Sequence, residues 1–167
     1  MAKPQVTILM GSQSDLPLME AATGVLEAFG VPYEITIASA HRSPDWTKRV
    51  IRGAEKKGVQ VFIAGAGWAA HLAGTVAAHT AKPVIGVPIE SSPLNGLDAL
   101  LSTAMMPSGV PVATMSLGKG GAKNAGLLAV QILATSRKDL SQKLKQQKEQ
   151  MAREVEANGK RVQRQGS

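Results

Sequence analysis

The chain alternates short apolar, β-prone runs with segments whose apolar residues recur every three or four positions. Such alternation dictates right-handed βαβ units, which assemble into a parallel sheet with helices on both faces. Val6-Thr7-Ile8-Leu9-Met10 reads as a buried strand ending at Gly11. Leu18, Met19, Ala22, Val25, Leu26 and Phe29 then form one face of a helix. Ser14 or Asp15 can cap its start, Pro17 suits its first turn, and Gly30 with Pro32 stops it. Residues 33–38 form a second strand. Ser43-Pro44 opens a second helix, whose buried stripe is Trp46, Val50, Ile51 and Ala54 and whose end is Gly58. Residues 59–64 form a third strand, followed by a glycine-rich turn and a small-residue helix over 69–79. Residues 83–88 and 112–117 supply the fourth and fifth strands. Between them, over 89–111, prolines and Asn95-Gly96 leave two loops around a helix near 97–105. A helix over 122–134 follows the fifth strand.

The predicted fold is therefore α/β: a flavodoxin-like three-layer sandwich on a five-stranded parallel sheet, occupying residues 1–137. From Asp139 the composition changes to Gln, Lys and Glu, with Leu140, Leu144, Met151, Val155 and Val162 as a thin apolar seam. The seam predicts a C-terminal helix over 138–158 that packs across the domain or on a neighbouring subunit, and a frayed tail at 159–167. That tail region also localises the charge. Residues 138–167 hold eight Lys or Arg against four Asp or Glu, more than half of the net +7. With only five aromatic residues as stacking material, a solvated basic tail is a better account than nucleic-acid binding. No apolar run reaches the length of a membrane span. The opening MAKPQVTILMGSQSD lacks a basic region, long apolar stretch and cleavage site, so no secretory leader and a cytoplasmic location are expected. The absence of cysteine excludes disulfides, thiolate metal sites and a cysteine nucleophile.

Ligands of open parallel sheets bind beyond the carboxyl ends of strands. Three turns there carry chemistry. Gly11-Ser12-Gln13-Ser14-Asp15 offers hydroxyls and free amides at a helix start, which suit a phosphate, while Asp15 can accept from ribose hydroxyls. Ser39-Ala40-His41-Arg42-Ser43 sets an imidazole, which titrates near neutral pH, beside a guanidinium fork for a phosphate or carboxylate. In Gly65-Ala66-Gly67-Trp68-Ala69-Ala70-His71-Leu72 the glycines admit close approach to the backbone, and His71 is either a second site group or a buried helix histidine. Other patterns fail. Gly118-Lys119-Gly120-Gly121 with Lys123 lacks P-loop order, and Met105 to Pro111 reads as architecture. His41, His71 and His79 lack the spacing of a metal motif. Ser39, His41 and Asp45 make no triad, because no nucleophile elbow supports them.

Together MGSQSD, SAHRSPD, AGAGWAAHLAG, GVPI, LNGLDALLS, MPSGVPVAT and GKGGAKNAGLLAVQIL resemble, in order and spacing, the bacterial class I N5-carboxyaminoimidazole ribonucleotide mutases. The resemblance covers residues 6–144. It implies a purine-biosynthesis enzyme that moves a carboxylate from the exocyclic nitrogen to C4 of the imidazole, without cofactor, ATP or metal. It also implies a homo-octamer with active sites at subunit interfaces. By resemblance His41 is the acid/base. Ser12 and Arg42 bind the phosphate, Asp15 the ribose, and Ser14 supports them. Ser39, Ala66, Gly67, His71 and Leu72 surround the imidazole and the migrating carboxylate. The chain departs from the family at Trp68, where Gly is usual, and at Ala73, where Pro is usual. A tryptophan at a position needing positive φ carries backbone strain, and one directed into the pocket alters activity.

Two other readings use the same turns. A CO2-dependent aminoimidazole ribonucleotide carboxylase typically has Lys after the Ser-Ala-His signature and a third loop resembling AGRSN, where this chain has Arg42 and Gly-Ala-Gly-Trp. A non-catalytic nucleotide- or flavin-binding module gives His41 no required role.

Overall fold

A computed structural model describes residues 3–165. The strands are β1 (Val6–Met10), β2 (Tyr33–Ile37), β3 (Val61–Gly67), β4 (Val84–Ile89) and β5 (Ala113–Thr114). The helices are α1 (Leu16–Phe29), α2 (Pro44–Lys57), α3 (Leu72–Ala77), α4 (Leu97–Ala104), α5 (Gly118–Ala134) and α6 (Lys138–Gln165). All strand pairs are parallel, in the order β2-β1-β3-β4-β5. This is the flavodoxin-like order, and the predicted sandwich is the one observed.

Period-two alternation divides the core between two layers. Val6, Ile8 and Met10 of β1, with Val61 and Ile63 of β3, face α1, α5 and the start of α6. Leu9, Phe62 and Ala64 face α2 and α3. Small residues bring α1 against α5, with Ala22, Ala122, Ala125 and Ala129 fully buried. The helix stops written in the sequence hold: Gly30 (φ +70°) and Gly58 (φ +92°) end α1 and α2 in the left-handed region.

Several boundaries differ from the predicted ones, each for a tertiary reason. The third strand runs beyond 64 to Gly67, because Gly65, Ala66 and Gly67 pair with Val87, Pro88 and Ile89 of β4. The following helix consequently begins at Leu72 rather than 69. The fifth strand shrinks from 112–117 to two residues at the sheet edge, paired with Ile85 and Gly86. The last domain helix starts at Gly118, a turn earlier than 122. Trp46 is not part of a buried stripe. It is 46% exposed, with its indole N–H donating to the Ile37 carbonyl at 3.0 Å and the Arg49 guanidinium over its ring.

The C-terminal helix does not stop at 158. It continues through Gly159 to Gln165, because an isolated glycine costs only about 1 kcal/mol in a helix otherwise rich in Lys, Arg, Gln and Glu. Residues 166–167 of the expected frayed tail lie outside the described residues. The seam divides in two. Leu140 is fully buried and Leu144 packs on the α1–α5 core, while Lys143 donates to the Phe29 carbonyl. Met151, Val155 and Val162 are exposed. No helix among the described residues is long and apolar enough to cross a membrane.

Candidate active site

The carboxyl ends of β1, β2, β3 and β4 surround a cavity of about 380 Å³. It lies where the winding reverses, with β1 flanked by β2 and β3. The turn after β1 contributes Gly11, Ser12, Ser14 and Asp15, and the turn after β2 contributes Ser39, Ala40, His41 and Arg42. The segment after β3 contributes Ala66, Gly67, Trp68, Ala69, His71 and Leu72. Every site residue nominated from the sequence thus lines one cavity.

Ser91 lines it as well and was not nominated. It stands two residues past the end of β4, where the carboxyl-end rule already points, but the prolines and glycines around it read as plain loop. The remaining sequence candidates lie elsewhere. Lys119 and Lys123 are exposed on α5. Met105 and Met106 border a second, more open cavity. His79 turns Nδ1 to the Thr75 carbonyl oxygen at 2.8 Å.

One end of the cavity is polar and tightly bonded. Asp15 stands at the N-cap position of α1 but makes no side-chain cap to it, and the Ser12 side chain caps the short 3-10 turn over Gln13–Asp15: it accepts from the Ser14 N–H at 3.4 Å and the Ser14 hydroxyl at 3.0 Å. The Ser12 N–H donates in return to Asp15 Oδ2 at 3.0 Å, completing a reciprocal cap. Asp15 is only 5% exposed, and burial raises its carboxyl above the usual range. The Ser12 N–H, the Ser14 hydroxyl and the Arg42 charge oppose that rise. Arg42 ties two turns together. Its Nη2 donates to the Gly11 carbonyl at 2.7 Å and its Nε to Ser39 Oγ at 3.3 Å. Nη1 has no partner among the described residues, so an anionic ligand can take it. Serine hydroxyls, a helix start and a fixed guanidinium are groups that could hold an anion.

Two imidazoles meet where the turn after β2 faces the segment after β3. His41 Nε2 lies 2.7 Å from His71 Nδ1, with ring centroids 4.8 Å apart and planes at 68°. One nitrogen donates and the other accepts, so a single proton occupies the contact. His71 is exposed to the cavity at the start of α3 and is not a buried helix histidine. The backbone behind it is closely packed: a Cβ on Gly67 would overlap Ser91 Oγ and sit 3.0 Å from the Ile89 carbonyl oxygen. Next to it Trp68 adopts φ +54° and is 59% exposed. The arrangement suits proton transfer at a planar group whose anionic tail is held at the serine–arginine end. Among the described residues no three His, Asp or Glu side chains converge as metal ligands.

A profile of the AIR carboxylase family matches residues 5–154. The N5-carboxyaminoimidazole ribonucleotide mutase of Pyrococcus horikoshii is 53% identical over 164 residues, spanning 98% of this chain and 92% of its own. That of Thermotoga maritima is 52% identical, spanning 98% and 94%. That of Escherichia coli K12 is 48% identical, spanning 92% and 91%. Among solved structures, Treponema denticola PurE superposes with a TM-score of 0.83 at 31% identity, over 91% of this chain and 94% of its own. A substituted PurE2 of the same organism gives 0.86 at 30% identity, over 94% and 96%.

Proposed function

The chain belongs to the AIR carboxylase family, and from that premise we propose that it is an N5-carboxyaminoimidazole ribonucleotide mutase, an isomerase of purine biosynthesis. The observation that carries the reading is the His41–His71 pair, 2.7 Å apart, lining one cavity with Ser12, Asp15 and the braced Arg42 guanidinium. Ser12 and Arg42 take the phosphate, Ser14 supports them, and Asp15 accepts from the ribose. The imidazole ring lies among Ser39, Ala66, Gly67, His71 and Leu72, next to His41.

In the reaction His41 gives a proton to the substrate as the bond between the exocyclic nitrogen and the carboxylate carbon breaks. CO2 is held beside the Ala66–Gly67 backbone. The enamine-like C4 forms the new carbon–carbon bond, and His41 takes the C4 proton back. The proton count closes on one imidazole. Recapture depends on the CO2 not escaping, since enforced proximity replaces a slow encounter from dilute solution.

Closed walls around that gas fit a homo-octamer whose sites lie at subunit interfaces. Exposed Leu94, Leu97, Leu101 and Met105 support this, as does the second cavity of about 570 Å³, which His71 shares with the first. The domain over 1–137 would hold the site. The exposed half of the C-terminal seam would pack on a neighbouring subunit. The location is cytoplasmic, in keeping with a phosphorylated substrate.

The test is an ATP-free assay with freshly generated N5-carboxyaminoimidazole ribonucleotide, run beside aminoimidazole ribonucleotide plus bicarbonate. Fast formation of the C4-carboxylated product from the first alone is expected. Product mainly from the second assigns the chain to the CO2-dependent carboxylases. Product from neither overturns the enzymatic reading in favour of a binding module.

A further inference from the structure

The two tryptophans of this chain differ in what holds them. Trp46 is accounted for internally by its hydrogen bond to Ile37 and the Arg49 guanidinium 5.7 Å from its ring centroid. Trp68 has neither kind of contact among the described residues. Its backbone sits at φ +54°, a region that a bulky side chain enters only at a conformational cost. The one other non-glycine residue described there is Asn95, a type that tolerates it. Folding gains only partial burial in return, because Trp68 is 59% exposed. A strained, largely exposed indole with no hydrogen-bond or cation partner among the described residues lines the cavity, on the same segment as Gly67 and His71.

We propose that Trp68 is a substrate-positioning wall: its indole stacks against the heterocyclic ring of the ribonucleotide and holds that ring in register with His41. This rests on the mutase reading and deepens it. The anionic tail belongs at the Ser12–Arg42 end, so the part of the substrate beside the β3–α3 turn is the flat ring. Aromatic rings attract one another in offset or edge-on arrangements at centroid separations of about 4.5–7 Å. The left-handed backbone at residue 68 is the local device that turns the side chain out of the strand–helix corner. The strain is thus kept where ligand binding offsets it.

Trp46 lies well apart, in a groove with Glu34 and Lys57, so W46F leaves Trp68 as the single indole reporter. In W46F, aminoimidazole ribonucleotide is expected to change the emission saturably, whereas ribose 5-phosphate, which lacks the ring, is not. W68G is expected to raise KM about tenfold, the scale of one lost aromatic contact, with a smaller change in kcat. W68F should recover most of that loss. Relief of strain should make W68G melt about 1–3 °C higher than the parent, so stability and affinity move in opposite directions. An unchanged KM in an active W68G overturns the proposal while leaving the mutase reading intact. So does emission in W46F that follows protein concentration and ignores the nucleotide, which would place Trp68 against a second copy of the chain. Absence of both nucleotide binding and turnover in the parent protein sinks the two readings together.

Discussion

The two ends of the cavity are built on opposite principles. At the turns after β1 and β2, polar side chains bond to one another and to backbone: Ser12 with Ser14 and Asp15, Ser39 and Gly11 with Arg42. At the segment after β3 almost no side chain makes such a bond. Shape there is set by backbone packed too closely for a Cβ, by alanines, and by a left-handed tryptophan. A bonded framework fixes charge and hydroxyls for the parts of a ligand that do not change during reaction. A close-packed, sparsely polar wall suits a neutral gas and a flat ring, because it offers few groups that would bind water in their place. The His41–His71 contact joins the two ends.

That joint is where substitution should act most strongly. His41→Asn keeps a polar side chain of similar reach but cannot shuttle a proton. Loss of a general acid–base group lowers kcat by about 10²- to 10⁴-fold. Circular dichroism and aminoimidazole ribonucleotide affinity should stay near the parent values, since Ser12 and Arg42 for the phosphate and Asp15 for the ribose are kept. Normal turnover in His41→Asn would remove the role assigned to it and sever the two ends chemically.

The close-packed end should fail through stability. Gly67→Ala places a methyl group against Ser91 Oγ and the Ile89 carbonyl. The hydroxyl can rotate away, but the backbone carbonyl cannot, so overpacking should cost about 1–3 kcal/mol. For a chain of this size that lowers Tm by about 2–4 °C per kcal/mol. Adding Ser91→Ala should restore part of the loss, which thermal denaturation of the four-member cycle measures directly. If Gly67→Ala melts with the parent, the wall has slack and the contrast between the two ends disappears.

This contrast also explains what was legible in the sequence. Residue types grouped within one turn announce themselves locally: although the bonds from His41 to His71 and from Arg42 to Gly11 are not legible there, Ser12 with Asp15, and Ser39 with His41 and Arg42, are each readable from a few neighbours. So are the helix stops at Gly30 and Gly58, and the strand-helix alternation that dictates the sheet. Ser91 was not readable, because its place depends on β4 lying beside β3, a contact between residues far apart in sequence. The brevity of β5 is likewise a matter of pairing between distant segments, with only Ala113 and Thr114 laddered to Ile85 and Gly86. The run past Gly159 shows local propensity outweighing one glycine. The left-handed backbone of Trp68 runs against its own type; only the family pattern, with glycine at that place, signalled it.

The smallest effect expected is at Asp15, and it has a definite sign. Burial raises the folded-state pKa of this carboxyl above the ordinary 3.8, despite the opposing bonds from Ser12 and Ser14 and the charge of Arg42. A carboxyl that holds its proton more firmly when folded stabilises the fold most below its unfolded pKa. That contribution is lost as pH rises through the folded value and is level thereafter. Asp15→Asn keeps an acceptor for the Ser12 N–H and has no proton to lose. Its Tm should therefore gain on the parent's across the acidic interval and stay at or above it at neutral pH. Its affinity for the ribonucleotide should fall, because a neutral amide accepts less strongly from ribose hydroxyls than a carboxylate does. Melting curves from pH 3 to 7, paired with nucleotide titrations, measure both. A variant less stable than the parent at neutral pH would mean that the bonds around the carboxylate outweigh its desolvation, and that the polar end is held together by Asp15 rather than at its expense.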